Sequence, residues 1–225
     1  MKILSFASLL SLQSPNLVKE FANDEIFVIS PLDDPNLPNA KFIKCEIGSL
    51  SFVLALACKD SVGGKFFDEL DDGFLSGESN VDSEEIEEIC GFLTDCQKCI
   101  IAPENLQGTN SDQIKAMLNL LSNEFDFELI DLDGNKIELE GKLDELNDLD
   151  NFDGAIVFTH NKNAEFKGGA YFMAAAKIKD GQNCEIKTKF GSLKSEFRLD
   201  NDLKGTVAFL GGENLKYGFE IFKKI

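Results

Sequence analysis

The stretch Lys98-Cys99-Ile100-Ile101-Ala102, Pro103-Glu104-Asn105-Leu106-Gln107-Gly108-Thr109, Asn110-Ser111-Asp112-Gln113-Ile114-Lys115-Ala116-Met117-Leu118-Asn119-Leu120-Leu121 and, after a short gap, Phe127-Glu128-Leu129-Ile130-Asp131 decides the fold class. Its middle places Ile114, Met117, Leu118 and Leu121 at i, i+3, i+4 and i+7, the spacing of one helix face. Asn110 followed by Gln113 suggests a capping box at its start. Short apolar runs on either side read as strands, so the whole is a βαβ unit, whose strands are expected to be parallel with a right-handed crossover.

Working outward, the same alternation recurs. Residues 2–6, 25–30 and 155–159 read as further strands, each short and rich in Ile, Val, Phe or Leu. Asp82 and Glu85 form a capping box, after which Ile86, Ile89, Cys90 and Leu93 share one helix face. Residues 50–58 are apolar nearly all round, as in a buried helix. This predicts an α/β domain over residues 1–160, a layered, mostly parallel sheet with helices. After Gly168-Gly169 the period becomes two, with Cys184, Ile186, Thr188 and Phe190 facing one way and Glu185, Lys187 and Lys189 the other. Turn signals at Asp180-Gly181, Gly191-Ser192, Asn201-Asp202 and Gly211-Gly212 complete the reading of residues 161–225 as a small, barrel-like β domain.

Charge marks the same division. The 225 residues carry 22 basic and 40 acidic side chains, a net charge of −18, with 43% hydrophobic residues. That balance disfavours nucleic acid or an anionic membrane surface as the main partner, since a polyanion is repelled, and the hydrophobic fraction excludes a disordered chain. No apolar run approaches the roughly 20 residues of a membrane-spanning helix. From Lys162 onward there are 12 basic and 8 acidic residues, against 10 and 32 before it. Arg198 is the only arginine, so a bidentate clamp on phosphate or carboxylate has one possible donor. Met1-Lys2 and the apolar residues 3–12 loosely resemble a secretion signal, but a single lysine precedes them and no small-x-small cleavage site lies before Pro15, so a cytoplasmic chain with reduced cysteines is expected.

Few residues carry chemistry. The loop after Ala102 has one glycine and an acid, Glu104, where a phosphate cradle needs several glycines and open N–H groups, and no dinucleotide or P-loop motif occurs elsewhere. Cys90, Cys96 and Cys99 are the metal or redox candidates; the alternative is that they are small buried hydrophobes. His160, the only histidine, follows a strand where an α/β protein places ligand contacts, or is a surface-loop residue. In Asp131-Leu132-Asp133-Gly134-Asn135 the glycine is fourth rather than sixth, unlike a calcium loop. Residues 68–88 hold ten acids and no base, and a second acidic cluster runs over residues 138–153; these read as solvated faces or as a docking surface for a basic partner.

Three blocks resemble a known family. Phe42-Ile43-Lys44-Cys45-Glu46-Ile47-Gly48-Ser49 with the following Leu54-Ala55-Leu56-Ala57, then Asp72-Gly73-Phe74-Leu75-Ser76-Gly77-Glu78-Ser79-Asn80-Val81 with Glu84-Glu85-Ile86-Glu87-Glu88-Ile89, resemble successive segments of the large peripheral iron-sulfur subunit of bacterial complex I. Ala174-Ala175-Ala176-Lys177-Ile178-Lys179-Asp180-Gly181, Lys189-Phe190-Gly191 and Leu203-Lys204-Gly205-Thr206-Val207-Ala208 are similar to the terminal β domain that this subunit shares with molybdopterin oxidoreductases. The sequence does not contain that subunit's cysteine-rich cluster-binding region, and Cys90, Cys96 and Cys99 do not reproduce its motifs, so no electron-carrying residue transfers. The resemblance implies a stand-alone, cofactor-free accessory or scaffold subunit of the peripheral arm of a complex I-like NADH- or flavodoxin-quinone oxidoreductase. It would have no catalytic residues and no metal, and would sit on the inner face of the cell membrane through other peripheral-arm subunits. Flavodoxin, an acidic electron carrier, would dock on the lysines after Lys162. Two readings compete with it, a small redox or metal-binding protein using Cys96 and Cys99, and a flavin-binding or flavodoxin-docking module.

Overall fold

Ile3 and Leu4 occupy the middle strand of a parallel sheet and point to opposite faces, each into its own hydrophobic cluster. A strand buried on both sides reads as a nearly continuous apolar run rather than an alternation, as in Ile3-Leu4-Ser5-Phe6, where the buried Ser5 is the one polar residue and accepts from the Ala7 N–H. The stretch with a signal-like look is thus the centre of the first domain. The computed structural model describes residues 1–225 and divides into two units between Asp150 and Asn151. No helix is long and apolar enough to cross a membrane.

The first unit runs β1 (Lys2–Ser5), α1 (Leu10–Gln13), α2 (Pro15–Glu20), β2 (Glu25–Ser30), β3 (Lys41–Lys44), α3 (Leu50–Ser61), α4 (Lys65–Asp68), α5 (Asp72–Ser79), α6 (Ser83–Leu93), β4 (Lys98–Ile100), α7 (Ser111–Phe125) and β5 (Glu128–Ile130), with a 3₁₀ turn at Pro103–Leu106 after β4. The sheet order is β3-β2-β1-β4-β5, and every pairing is parallel. One face carries Leu4, Phe27 and Ile29 in a cluster with Leu54 of α3, Ile89 of α6 and Leu118 of α7. The other is thinly covered: Ile3, Val28 and Ile100 meet Leu10, Leu17 and Phe21 of the short α1–α2 segment. In α3 every side chain from Leu50 to Cys58 is buried, as its all-round apolar sequence requires. The capping box at α6 is present, with Asp82 accepting from the Glu85 N–H and Glu85 from the Asp82 N–H.

The expected box at α7 is absent. Asn110 and Gln113 instead anchor a strap formed by the second acidic cluster. Asn110 Nδ2 donates to the Asn147 carbonyl at 2.8 Å and Gln113 Nε2 to Asp144 at 2.6 Å. Leu139, Leu143, Leu146 and Leu149 of the strap pack on the first core. Gly141 crosses α7 where a Cβ would lie 2.3 Å from the Asp112 carbonyl and 2.5 Å from the Ala116 nitrogen, so only glycine fits.

The second unit, Asn151–Ile225, contains β6 (Ile156–His160), β7 (Glu165–Gly168), α8 (Ala170–Ala176), β8 (Asn183–Thr188), β9 (Gly191–Glu196), β10 (Arg198–Leu199), β11 (Val207–Gly211) and β12 (Gly218–Ile221). Two corrections to the sequence reading follow. The boundary at 160 moves back to 150, because the strand read at 155–159 is β6, which pairs with β11 and β12 of the carboxyl-terminal segment. Its place in the first sheet belongs to β3, an edge strand of two apolar residues between lysines. The first unit then holds 10 bases and 31 acids, and the second 12 and 9.

Strands β10-β7-β11-β6-β12 form one sheet, and β8-β9 form a hairpin. The two join at both edges: β9 runs on into β10, while the chain beyond β12 pairs with β8 through Ile186 and Lys224. The circuit closes into a small barrel, which leaves no free edge. Its interior is aromatic, with Phe166 within 5.1–5.9 Å, ring centre to ring centre, of Phe172, Phe197 and Phe222.

Candidate functional site: the carboxyl end of the parallel sheet

In a sheet of order 3-2-1-4-5 the chain leaves β1 toward one side and β4 toward the other, and a ligand ordinarily binds in the crevice between those two strand ends, on the N–H groups that follow β1. Here those groups are engaged by the protein's own side chains. Ala7 N–H donates to Ser5 Oγ at 3.2 Å, Ser8 N–H to Glu104 Oε1 at 3.4 Å and Leu9 N–H to Gln13 Oε1 at 2.8 Å. Ser11 gives both its N–H and its hydroxyl to Asp34, at 2.8 and 2.6 Å. From the β4 side, Gln13 Nε2 donates to Glu104 Oε1 at 2.7 Å, and Asn105 Nδ2 donates to the Phe6 carbonyl.

Glu104 is therefore where a phosphate would be expected, and it brings a negative charge of its own. Burial raises its pKa above the usual carboxylate value, against the opposing pull of the hydrogen bonds from Gln13 and Ser8. Its second oxygen, Oε2, is buried without a hydrogen-bond partner. A phosphate entering this crevice would find its donors taken and two carboxylates, Glu104 and Asp34, beside it. Next to it, a shallow hollow of ≈ 250 Å³ is lined by Val28, Leu37, Ala40 and Phe42 with Asp33, Asp34 and Pro35 at its rim. It is smaller than most ligand sites and offers no cation to an anionic group.

The other candidate residues lie apart from this crevice. Cys90, Cys96 and Cys99 are buried free thiols, and no three His, Cys, Asp or Glu side chains are grouped so as to hold a metal. Burial pushes the Cys90 thiol up to about 11 and raises Cys96 and Cys99 as well, so none is held as the reactive thiolate. Cys90 sits near Cys58, donating to the Ala57 carbonyl, while Cys99 lies on β4. His160 is not a loop residue: it ends β6 and is fully buried. Its Nε2 lies 2.9 Å from Glu165 Oε1, and its Nδ1 faces the Lys162 N–H. Burial lowers its pKa, more than Glu165 raises it, so the ring is neutral at pH 7. Asp131 spends its Oδ1 on the N–H groups of Asp133 and Asn135, closing its own turn rather than facing a cation.

Sequence reasoning recognised Glu104 as an obstacle to phosphate but not its partners. Gln13 and Asp34 carry no local pattern that would single them out. No protein-family model and no curated protein sequence matches this chain.

Proposed function

We propose that the protein is a cofactor-free accessory subunit of the peripheral arm of a complex I-like quinone oxidoreductase, a scaffold that supports the feeding of electrons into the arm. The observation that carries this reading is the crevice between β1 and β4. A doubly wound sheet built for a nucleotide or flavin leaves the N–H groups after its first strand open, whereas this chain occupies them with Glu104, Gln13 and Asp34. A sheet kept with its ligand position filled from within serves assembly rather than chemistry. The resemblance of residues 42–57, 72–89 and 174–208 to successive parts of the large peripheral subunit, in the same order, is what favours this assembly.

On this reading the protein is cytoplasmic and held at the inner membrane face by its partner subunits. Electrons reach the complex from NADH or flavodoxin without passing through this chain. Purification of the tagged protein from its native cells is expected to bring complex I subunits with it at near-equal stoichiometry. Recovery only as a free monomer from gently solubilised membranes and cytosol overturns the proposal.

A further inference from the structure

The lysines of the two units are used in opposite ways. In the first unit every lysine except Lys19 lies within ion-pair distance of a carboxylate. In the second only Lys167, Lys194 and Arg198 do. The unpaired remainder is not scattered evenly. Lys187, Lys189, Lys216 and Lys223 are all exposed and gather where β8 meets the strand that continues β12. The Lys187 N–H donates to the Lys223 carbonyl at 2.9 Å, which sets these two lysines opposite each other across the ladder. Lys189 and Lys216 bring their ammonium groups to one ring, 5.4 and 6.0 Å from the centre of Phe190.

Like charges facing each other across a ladder destabilise it, and here no carboxylate pairs with either ammonium. Of the acids on these strands, Glu220 uses Oε2 to accept from the Lys189 backbone N–H at 2.8 Å and Glu185 pairs with Lys194. Ile221, one of the few large apolar side chains left exposed in the molecule, lies in the same strand. Unpaired cations beside an exposed apolar residue complement an acidic face.

We infer that this end of the barrel is the docking surface for an acidic face of another protein. A long polyanion is a poorer fit, because the chain as a whole is at −18 and repels one, and because the only arginine, the residue best shaped for phosphate, is paired with Glu196. A separate protein with a compact acidic patch engages the lysine cluster at short range, where charges beyond about 10 Å are screened at 0.1 M salt. The inference stands apart from the assignment to a respiratory complex, and failure of co-purification would leave it untouched.

The test compares two full-length variants of equal charge. One carries Lys187→Gln, Lys189→Gln, Lys216→Gln and Lys223→Gln; the other carries Lys162→Gln, Lys177→Gln, Lys179→Gln and Lys204→Gln. Binding to flavodoxin, as a folded acidic protein, is measured at about 0.1 M ionic strength. The first variant is expected to bind it about tenfold more weakly, since four rim pairs of a few tenths of a kcal/mol each amount to that factor. The second is expected to stay within about twofold of the unaltered chain, because its four lysines lie outside β8 and the chain segment that pairs with it. Because the facing lysines oppose each other, the first variant is also expected to be more resistant to urea, which separates lost binding from lost folding. Equal losses in the two variants overturn the inference, as does absence of binding by the unaltered chain. So does preferential binding to anionic phosphatidylglycerol vesicles, or self-association that the first variant abolishes.

Discussion

The two units treat polar groups in opposite ways. The first has three times as many acids as bases, yet all its lysines but Lys19 are paired, its crevice N–H groups are engaged by its own side chains, and its acidic strap is tied down by Asn110 and Gln113. The second is nearly balanced in charge, with 12 bases and 9 acids, but leaves most of its lysines without a carboxylate. Net charge therefore does not report where a protein is prepared to bind. The unit with the larger charge leaves most of its acids without an ion pair but only one of its lysines, whereas the nearly neutral one leaves most of its lysines so.

The cores differ as well, and the largest expected effect exploits that. The barrel is small and depends on a few rings, so Phe166→Ala, which removes a ring touching three others, is expected to cost about 3–5 kcal/mol in urea denaturation. A loss under about 1 kcal/mol would mean that the barrel does not rest on its aromatic cluster. Next comes Gly211→Ala on β11. The added Cβ would lie 1.9 Å from the Asn163 carbonyl oxygen and 2.5 Å from His160 Cε1, and a cost of about 1–3 kcal/mol is expected from forcing His160 out of its place. In the first unit, Asp82→Ala removes one half of the capping box and is expected to cost about 1 kcal/mol, read as a lower thermal midpoint.

The smallest and most conditional effect belongs to Glu104. Its pKa is raised on folding above the ordinary 4.5, so the neutral carboxyl is favoured in the folded state. The stability this contributes is fully present below about 4.5 and is lost as pH rises through the raised value. Glu104→Gln keeps an acceptor for Gln13 and Ser8 without the charge. Its urea midpoint is expected to gain on the unaltered protein as pH rises from 4.5 to 8. Parallel curves would show that the carboxylate is not strained in the crevice.

Local patterns revealed local structure. The helix faces of α6 and α7, the all-round burial of α3, the Asp82 box and four of the five parallel strands were legible from spacing alone. What failed was everything that depends on distant partners. The run at 155–159 is apolar whichever sheet receives it, and only its pairing with β11 and β12 assigns it to the barrel. β3 offers two apolar residues between lysines, too little for a period to show. Asn110 and Gln113 have the spacing of a capping box, but the strap competes for their side chains and wins. The crevice is the extreme case: Glu104 is a conspicuous acid in its loop, yet the groups it meets, Ser8 and Gln13, lie more than ninety residues away.

The claim that the parallel sheet has closed its own ligand position is tested most directly by calorimetric titration of the unaltered protein with FMN, NADH and inorganic phosphate. The account predicts no saturable heat with any of the three up to about 1 mM, a level at which even a binding free energy of only about −4 kcal/mol would register. Stoichiometric binding of one of them at micromolar concentration, lost in Ser8→Pro, would show that the crevice opens, and would contradict the reading of this chain as a scaffold.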